Sequence, residues 1–224
     1  MTEPAFAPIL DAARTRLGAK ALEARLPQPL SPAELKAAPN SHYLSLMSRR
    51  IFRAGLKHSL VDAKWPAFEE VFHGFEPRRV RAMSDEALEG LLADARLIRH
   101  WGKLKSVRDN AAAMLALADE HGSFGIWLAD WPGTAIVNLW EALAKRFSQM
   151  GGNSGPTFLR MVGKDTFILT PSVTAALQRW GAVDATPKNR KDRVAVQSCF
   201  NNWAAETGRP LCQLSLIVAA SIED

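Results

Sequence analysis

Between Gln149 and Arg160 the sequence reads QMGGNSGPTFLR. Gly151, Gly152 and Gly155 leave backbone amides uncovered by side chains, and Asn153 and Ser154 add only short polar groups. Pro156 and Thr157 then restart a helix, so bare amides and a helix N-terminus turn toward one point. No acid occurs between Glu141 and Asp165, whereas Lys145, Arg146, Arg160 and Lys164 all fall in that window. Such a point suits a phosphate. Glycine is also the usual residue at a helix C-cap, so a plain helix–helix turn accounts for the same letters. Further cations gather as Arg99, His100 and Lys103 in IRHWGK, and as Lys188, Arg190, Lys191 and Arg193 in KNRKDR. They are candidates for phosphate contacts, or simply a solvated face. Cys199 and Cys212 make no metal-type spacing with each other or with any histidine, and no structural metal is expected.

The elements that must hold these residues read as helical throughout. Apolar positions Phe6, Ile9, Leu10, Ala13 and Leu17 line one face of a first helix. Pro27, Pro29, Pro32 and Pro39 then mark an irregular arm with one short helix, capped by Ser31 with Pro32 in its first turn. Helical patterns follow at roughly 41–54, 59–73, 76–83, 84–96, 101–120, 123–131, 134–150, 156–163, 170–180, 188–206 and 210–221. Ser84 before DEALEGLLADAR is a good N-cap, with Asp85 and Glu86 at the positive helix end. No segment alternates as a strand does, so the expected class is all-α. The 224 residues are 47% hydrophobic and carry a net charge of +5, enough for a real core and a mild bias toward an anionic partner. The start of the chain lacks a basic-then-apolar leader and no apolar run reaches spanning length. A cytoplasmic location without membrane contact is expected.

The text from IFRAGLKHSL to RDNAAAML resembles the core of the DNA 3-methyladenine glycosylase I family of helix-hairpin-helix DNA glycosylases. The likeness is carried in order by AGL, by F.P..V..M, and above all by IRH.GK followed by NA, and extends over about residues 43–175. MGGNSGPTF fits the hairpin pattern, with Met150 as apolar anchor, Gly152 as first loop glycine and Ser154 in place of the second. The resemblance implies two all-helical lobes with a base pocket between them, an N-terminal arm over 1–40, and a glycosylase domain over 41–224 with its hairpin at about 149–157. It implies a monomer, associated with the nucleoid when bound to DNA. The partner is double-stranded DNA containing alkylated bases, gripped by Gly151, Gly152, Asn153, Ser154, Gly155 and Thr157. A monovalent cation beneath the hairpin is implied as well. Lys164, Arg99 and Lys103 are further DNA-binding candidates.

Three departures bear on the chemistry. The family's zinc site lacks its cysteine near the N-terminus here, and two cysteines cannot supply an iron–sulfur cluster. In the family a glutamate four residues before the AGL alanine contacts the flipped base and a tryptophan follows AGL; these positions hold Arg50 and His58. Arg50 either repels a cationic base, or faces phosphate, or marks a pocket for another lesion. Trp65, Phe52, Trp101 and Tyr43 are aromatic candidates for stacking, or for core. Two registers of GKDTFILTPSV place either Asp165 or Thr170 where the wider superfamily carries its catalytic aspartate. The lysine nucleophile of bifunctional members is replaced by Pro156, which implies a monofunctional enzyme. The expected function is excision of an alkylated purine, 3-methyladenine first. The alternatives are a DNA-binding protein that has lost or altered the pocket, and a helical protein-interaction domain.

Overall fold

The computed structural model describes residues 4–223, and every regular element among them is helical. In chain order these are α1 Phe6–Leu17, α2 Ala19–Glu23, α3 Pro32–Ala37, α4 Asn40–Arg53, α5 His58–Val71, α6 Pro77–Arg81 and α7 Asp85–Gly90. There follow α8 Trp101–His121, α9 Phe124–Asp130, α10 Ile136–Arg146, α11 Ser154–Met161, α12 Pro171–Arg179, α13 Arg190–Thr207 and α14 Leu211–Ala220. The chain is all-α, as its periodicity indicates. No helix among the described residues is long and apolar enough to cross a membrane.

Local chemistry sets most of the boundaries. Ser31 Oγ accepts from the Glu34 amide at 3.2 Å while Glu34 Oε2 accepts from the Ser31 amide at 2.8 Å, a reciprocal cap that starts α3. Ser84 Oγ caps α7 through the Ala87 amide at 3.2 Å. The helix expected to run to residue 96 stops at Gly90 and continues only as a 3-10 turn, Leu91–Ala93. Glycine is a weak helix former, and Asp94 closes a turn of its own by accepting from the Arg96 amide at 2.9 Å. Asn189 and Asp192 form a second reciprocal cap at the start of α13.

The described chain divides into two compact units, Met1–Leu30 with Pro132–Leu139 and Gly163–Asp224, and Ser31–Trp131 with Trp140–Val162. This division differs from the boundary expected at residue 40. The capped turn of α3 belongs with the helices that follow it, and α1 and α2 belong with α12, α13 and α14. The first unit is closed by contacts between the chain's two ends. Phe6 packs on Trp203 with ring centroids 5.4 Å apart, Trp203 Nε1 donates to Pro4 O at 2.8 Å, and Arg209 pairs with Glu23 at 2.6 Å. Phe167 and Phe200 stack at 4.5 Å in the same core.

The second unit has two aromatic nuclei. Tyr43, Phe147 and Phe158 surround Phe124 at centroid distances of 5.1, 5.7 and 6.3 Å. The Tyr43 hydroxyl donates to Leu35 O, and burial pushes its pKa up to about 12. Phe52, Trp65, Phe68 and Phe75 make the other nucleus, with Trp65 stacked between Phe68 at 5.2 Å and Phe75 at 5.3 Å. Burying four such rings contributes a large share of this unit's stability.

Candidate functional site

The hairpin joins the end of α10 to the start of α11. Gln149 and Gly152 take left-handed backbone angles, φ 61° and 57°, and together they reverse the chain. A Cβ on Gly151 or Gly152 would meet nothing within 4 Å, so this backbone faces open space. Gly155 has the opposite constraint: a Cβ there would lie 3.2 Å from Met150 O, so a side chain would require the turn to give by a few tenths of an ångström. The Ser154 amide donates to Gly151 O and the Thr157 amide to Asn153 O, both at 3.1 Å. The Asn153 side chain makes no capping hydrogen bond at the start of α11, and Pro156 has no amide to offer. Met150, 1% exposed, anchors the loop from below as its place in the pattern suggests.

The hairpin is pinned from α8. Asn110, fully buried, receives the Ser148 amide on Oδ1 at 2.7 Å and donates Nδ2 to Ser148 O at 3.2 Å. Gln149 Nε2 donates to Gly102 O at 2.7 Å near the start of the same helix. Asn110 is the asparagine of the NA dipeptide in the sequence, where nothing in its spacing revealed what it holds. Ser148 O and Gly151 O each accept a hydrogen bond. Among the described residues no group of three or more His, Cys, Asp or Glu could hold a metal ion.

Two of the expected DNA contacts are buried. Lys103 is 9% exposed, and its ammonium donates to Phe52 O at 3.3 Å and Ala54 O at 2.7 Å, capping the last turn of α4. Burial lowers its pKa, with the nearby Arg50 adding to the effect. The ammonium is thus engaged by two α4 carbonyls. Lys164 is buried too, at 8% exposure, and so is no surface cation. Arg99 remains exposed, as do Lys188, Arg190 and Lys191, with Arg193 partly covered. His100 caps α8, its Nδ1 accepting from the Lys103 amide at 3.3 Å.

The base-pocket candidates separate in the same way. Phe52 has no exposed surface and Trp65 only 4%; both pack as core aromatics in this structure. Trp65 Nε1 donates to Ser45 Oγ at 3.2 Å, and the Arg49 guanidinium lies 5.6 Å from its ring centroid. Tyr43 is core, whereas Trp101 is 37% exposed. His58 is exposed at the first residue of α5. Arg50 lies half-buried in the last turn of α4. Asp62 on α5 pairs with Arg53 at 2.6 Å and with Arg49 at 2.9 Å. Hydrogen bonds from Arg53 chiefly hold the Asp62 carboxyl below its usual pKa.

Both residues proposed for the catalytic carboxylate position are helix caps. Asp165 Oδ2 accepts from the Leu211 amide at 2.9 Å and Oδ1 from the Cys212 amide at 2.8 Å, the first two amides of α14. Thr170 Oγ1 accepts from the Val173 amide at 3.1 Å at the start of α12. Each satisfies donors that a helix start leaves unpaired.

The hairpin, α8 and α4 fall inside one continuous match. The model of the methyladenine glycosylase family matches residues 38–157, more than half of the chain. The chain belongs to this family. DNA-3-methyladenine glycosylase 1 of Escherichia coli is 40% identical over 65 residues, which cover 29% of this chain and 35% of that protein. The match thus spans about a third of the curated relative's length. Among solved structures, 3-methyladenine DNA glycosylase I from Staphylococcus aureus aligns with TM-score 0.52 and 20% identity, over 68% of this chain and 92% of its own. The Methanocaldococcus jannaschii 8-oxoguanine glycosylase/lyase, solved with DNA, aligns with TM-score 0.53 and 16% identity over 94% and 93%. At these identities the structural likeness establishes a shared fold. Membership of the methyladenine glycosylase family rests on the segment from α4 through the hairpin.

Proposed function

We propose that the protein is a monomeric, cytoplasmic DNA glycosylase that releases an alkylated purine from duplex DNA by hydrolysis. Family membership across α4, α8 and the hairpin is the observation that carries this reading. The open backbone at Gly151 and Gly152 beside the start of α11 supports the grip on a DNA phosphate. Phosphate contacts set register without reading sequence, which suits a scanner for damage. The target nucleotide then leaves the stack and enters the protein. A purine alkylated on N3 is already cationic, so the C1′–N9 bond breaks with the electron pair leaving on the base, which departs neutral. Water adds its hydroxyl to C1′ and gives its other proton to solvent, leaving an abasic strand. With the leaving group so activated, binding and orientation supply much of the acceleration, and a chain whose Asp165 and Thr170 cap helices retains a route to catalysis.

The test is release of free bases from methylated genomic DNA, resolved by mass. Free methylated purine, with 3-methyladenine the first to look for, supports the reading; binding without any release favours a DNA-binding protein that has lost the chemistry, a reading the capping roles of Asp165 and Thr170 keep in play. Because Pro156 stands where an amine nucleophile would be needed, borohydride should trap no covalent adduct with damaged DNA. A trapped adduct would refute the monofunctional assignment.

A further inference from the structure

The short helix α6 carries Arg78, Arg79 and Arg81. It packs against α8, and just past its end Arg108 of α8 donates to Met83 O at 2.9 Å. Arg79 turns to His73, whose Nδ1 lies 3.2 Å from its guanidinium. Arg78 and Arg81 stand three residues apart, so they share a helix face, where like charges repel. Both are exposed, and neither guanidinium has a hydrogen bond or ion pair among the described residues. The acids that flank α6 in sequence are committed: Glu76 accepts from the Arg79 amide at 3.0 Å, and Asp85 pairs with Arg108. Asp119, one turn beyond Leu115 on α8, makes no ion pair with either arginine. Arg78 and Arg81 line a concavity of about 220 Å³, which Ala82 and Leu115 complete.

We propose that this concavity docks a protein partner through an acidic segment, whose carboxylates pair with Arg78 and Arg81 while one apolar side chain rests on Ala82 and Leu115. Charge sets the sign of the partner. Two arginines without a counter-ion take carboxylates or phosphates in paired hydrogen bonds. Size and lining choose among the anions. A volume of about 220 Å³ falls below the roughly 300–1,000 Å³ of small-molecule and cofactor sites, and suits a single side chain. A DNA backbone is held by charge, which gives no reason for a floor of Ala82 and Leu115. An apolar anchor ringed by arginine is instead the arrangement that concentrates binding energy between proteins. Place argues the same way. The hairpin is pinned to α8 at Gly102 and Asn110, whereas Leu115 lies about 20 Å further along the helix than Gly102. A segment held there is clear of the hairpin, and the site is separate from the proposed excision chemistry.

The probe is a fluorescein-labelled oligoaspartate peptide ending in phenylalanine, beside a second that ends in serine, each titrated with the full chain and read by anisotropy. The phenylalanine peptide should bind saturably, and more weakly as salt rises. The serine peptide should bind roughly tenfold to a hundredfold more weakly, the loss expected when one aromatic side chain is no longer buried. Two variants locate the site: Arg78→Ala combined with Arg81→Ala, and Ala82→Glu, which sets a rival carboxylate beside the arginines. Each should weaken the phenylalanine peptide by roughly tenfold or more. All three positions are exposed, so both variants should melt with wild type, and the double variant should bind duplex DNA unchanged. Equal affinity for the two peptides reduces the site to a charged face and overturns the inference. Peptide binding that is absent, or unmoved in both variants, overturns it as well. A double variant that loses duplex binding along with the peptide makes this face a DNA contact, and the inference is wrong. Each of these results leaves the glycosylase reading standing.

Discussion

Replacing Asp165 with asparagine separates a structural carboxylate from a catalytic one. In the structure each oxygen of Asp165 takes one of the first two amides of α14, at 2.9 and 2.8 Å. Asparagine keeps one acceptor, turns an NH2 toward the other amide, and removes a negative charge from the positive end of a helix. Losing such a cap costs about 1–2 kcal/mol. For a chain of this size that lowers the melting temperature by about 2–8 °C. A carboxylate stabilising the sugar cation would behave differently. Its loss would raise the barrier by about 3–4 kcal/mol and slow excision by roughly 10²–10³. Single-turnover excision from a methylated duplex, at saturating enzyme and below the variant's melting range, distinguishes the two. The expected result is a clear loss of stability with a rate within about tenfold of wild type. A hundredfold slower rate at unchanged melting temperature would refute the capping argument.

Gly151→Val adds a side chain where a Cβ meets open space, so it should melt near wild type yet weaken binding to undamaged duplex. The slope of log affinity against log salt should fall by about 0.9 for each phosphate that the variant no longer neutralises; unchanged binding would remove the hairpin from the interface. Asn110→Ala deletes both bonds to Ser148 and should cost about 1–3 kcal/mol in denaturant unfolding, with weaker DNA binding as the hairpin loosens. Loss of neither property would show that the hairpin is held by other means. Asp62 has its folded pKa depressed below the ordinary 3.8, so its contribution to stability is present above that value and lost as pH falls through the lower folded value. Asp62→Asn should therefore melt lower than wild type near neutral pH, and the gap should narrow in acid below the ordinary carboxylate range; a gap independent of pH would contradict the assignment.

The all-α class was legible because apolar residues recur at helical spacing and the caps at Ser31 and Ser84 are written in adjacent letters. The hairpin was legible for the same reason: glycine, asparagine and proline constrain the backbone locally. What escaped the sequence depends on partners far along the chain. Lys103 lies in a motif rich in cations, yet its ammonium crosses to carbonyls 51 and 49 residues earlier, and the residue is buried. Asp165 looks like an acid after a hairpin, and only the fold shows α14 resting on it from residues 46 and 47 positions later. Phe52 and Trp65 carry the letters of a stacking pocket, but aromatic type does not distinguish a base from another ring. The acid of KNRKDR was equally hidden, since Asp192 serves the cap of α13 as well as the charge balance. Arg50 was conspicuous by its letter; its half-burial was not.

The closure of the first unit by both ends of the chain has a consequence for how the protein is made. The Phe6 amide meets Glu206, 200 residues away, and Trp203 Nε1 reaches Pro4 across 199. A ribosome therefore delivers α1, with Phe6, Ile9 and Ala13 on its apolar face, long before α13 and α14 exist to cover it. Everything from Ser31 to Trp131 and from Trp140 to Val162 emerges in the interval and holds its own aromatic nuclei. The N-terminal helix must wait through that interval with its face uncovered, and contacts of such long range form slowly once their partners arrive. Chain-synthesis order thus makes α1 the segment most in need of protection on the nascent polypeptide, and a stalled chain lacking α13 and α14 would leave it uncovered.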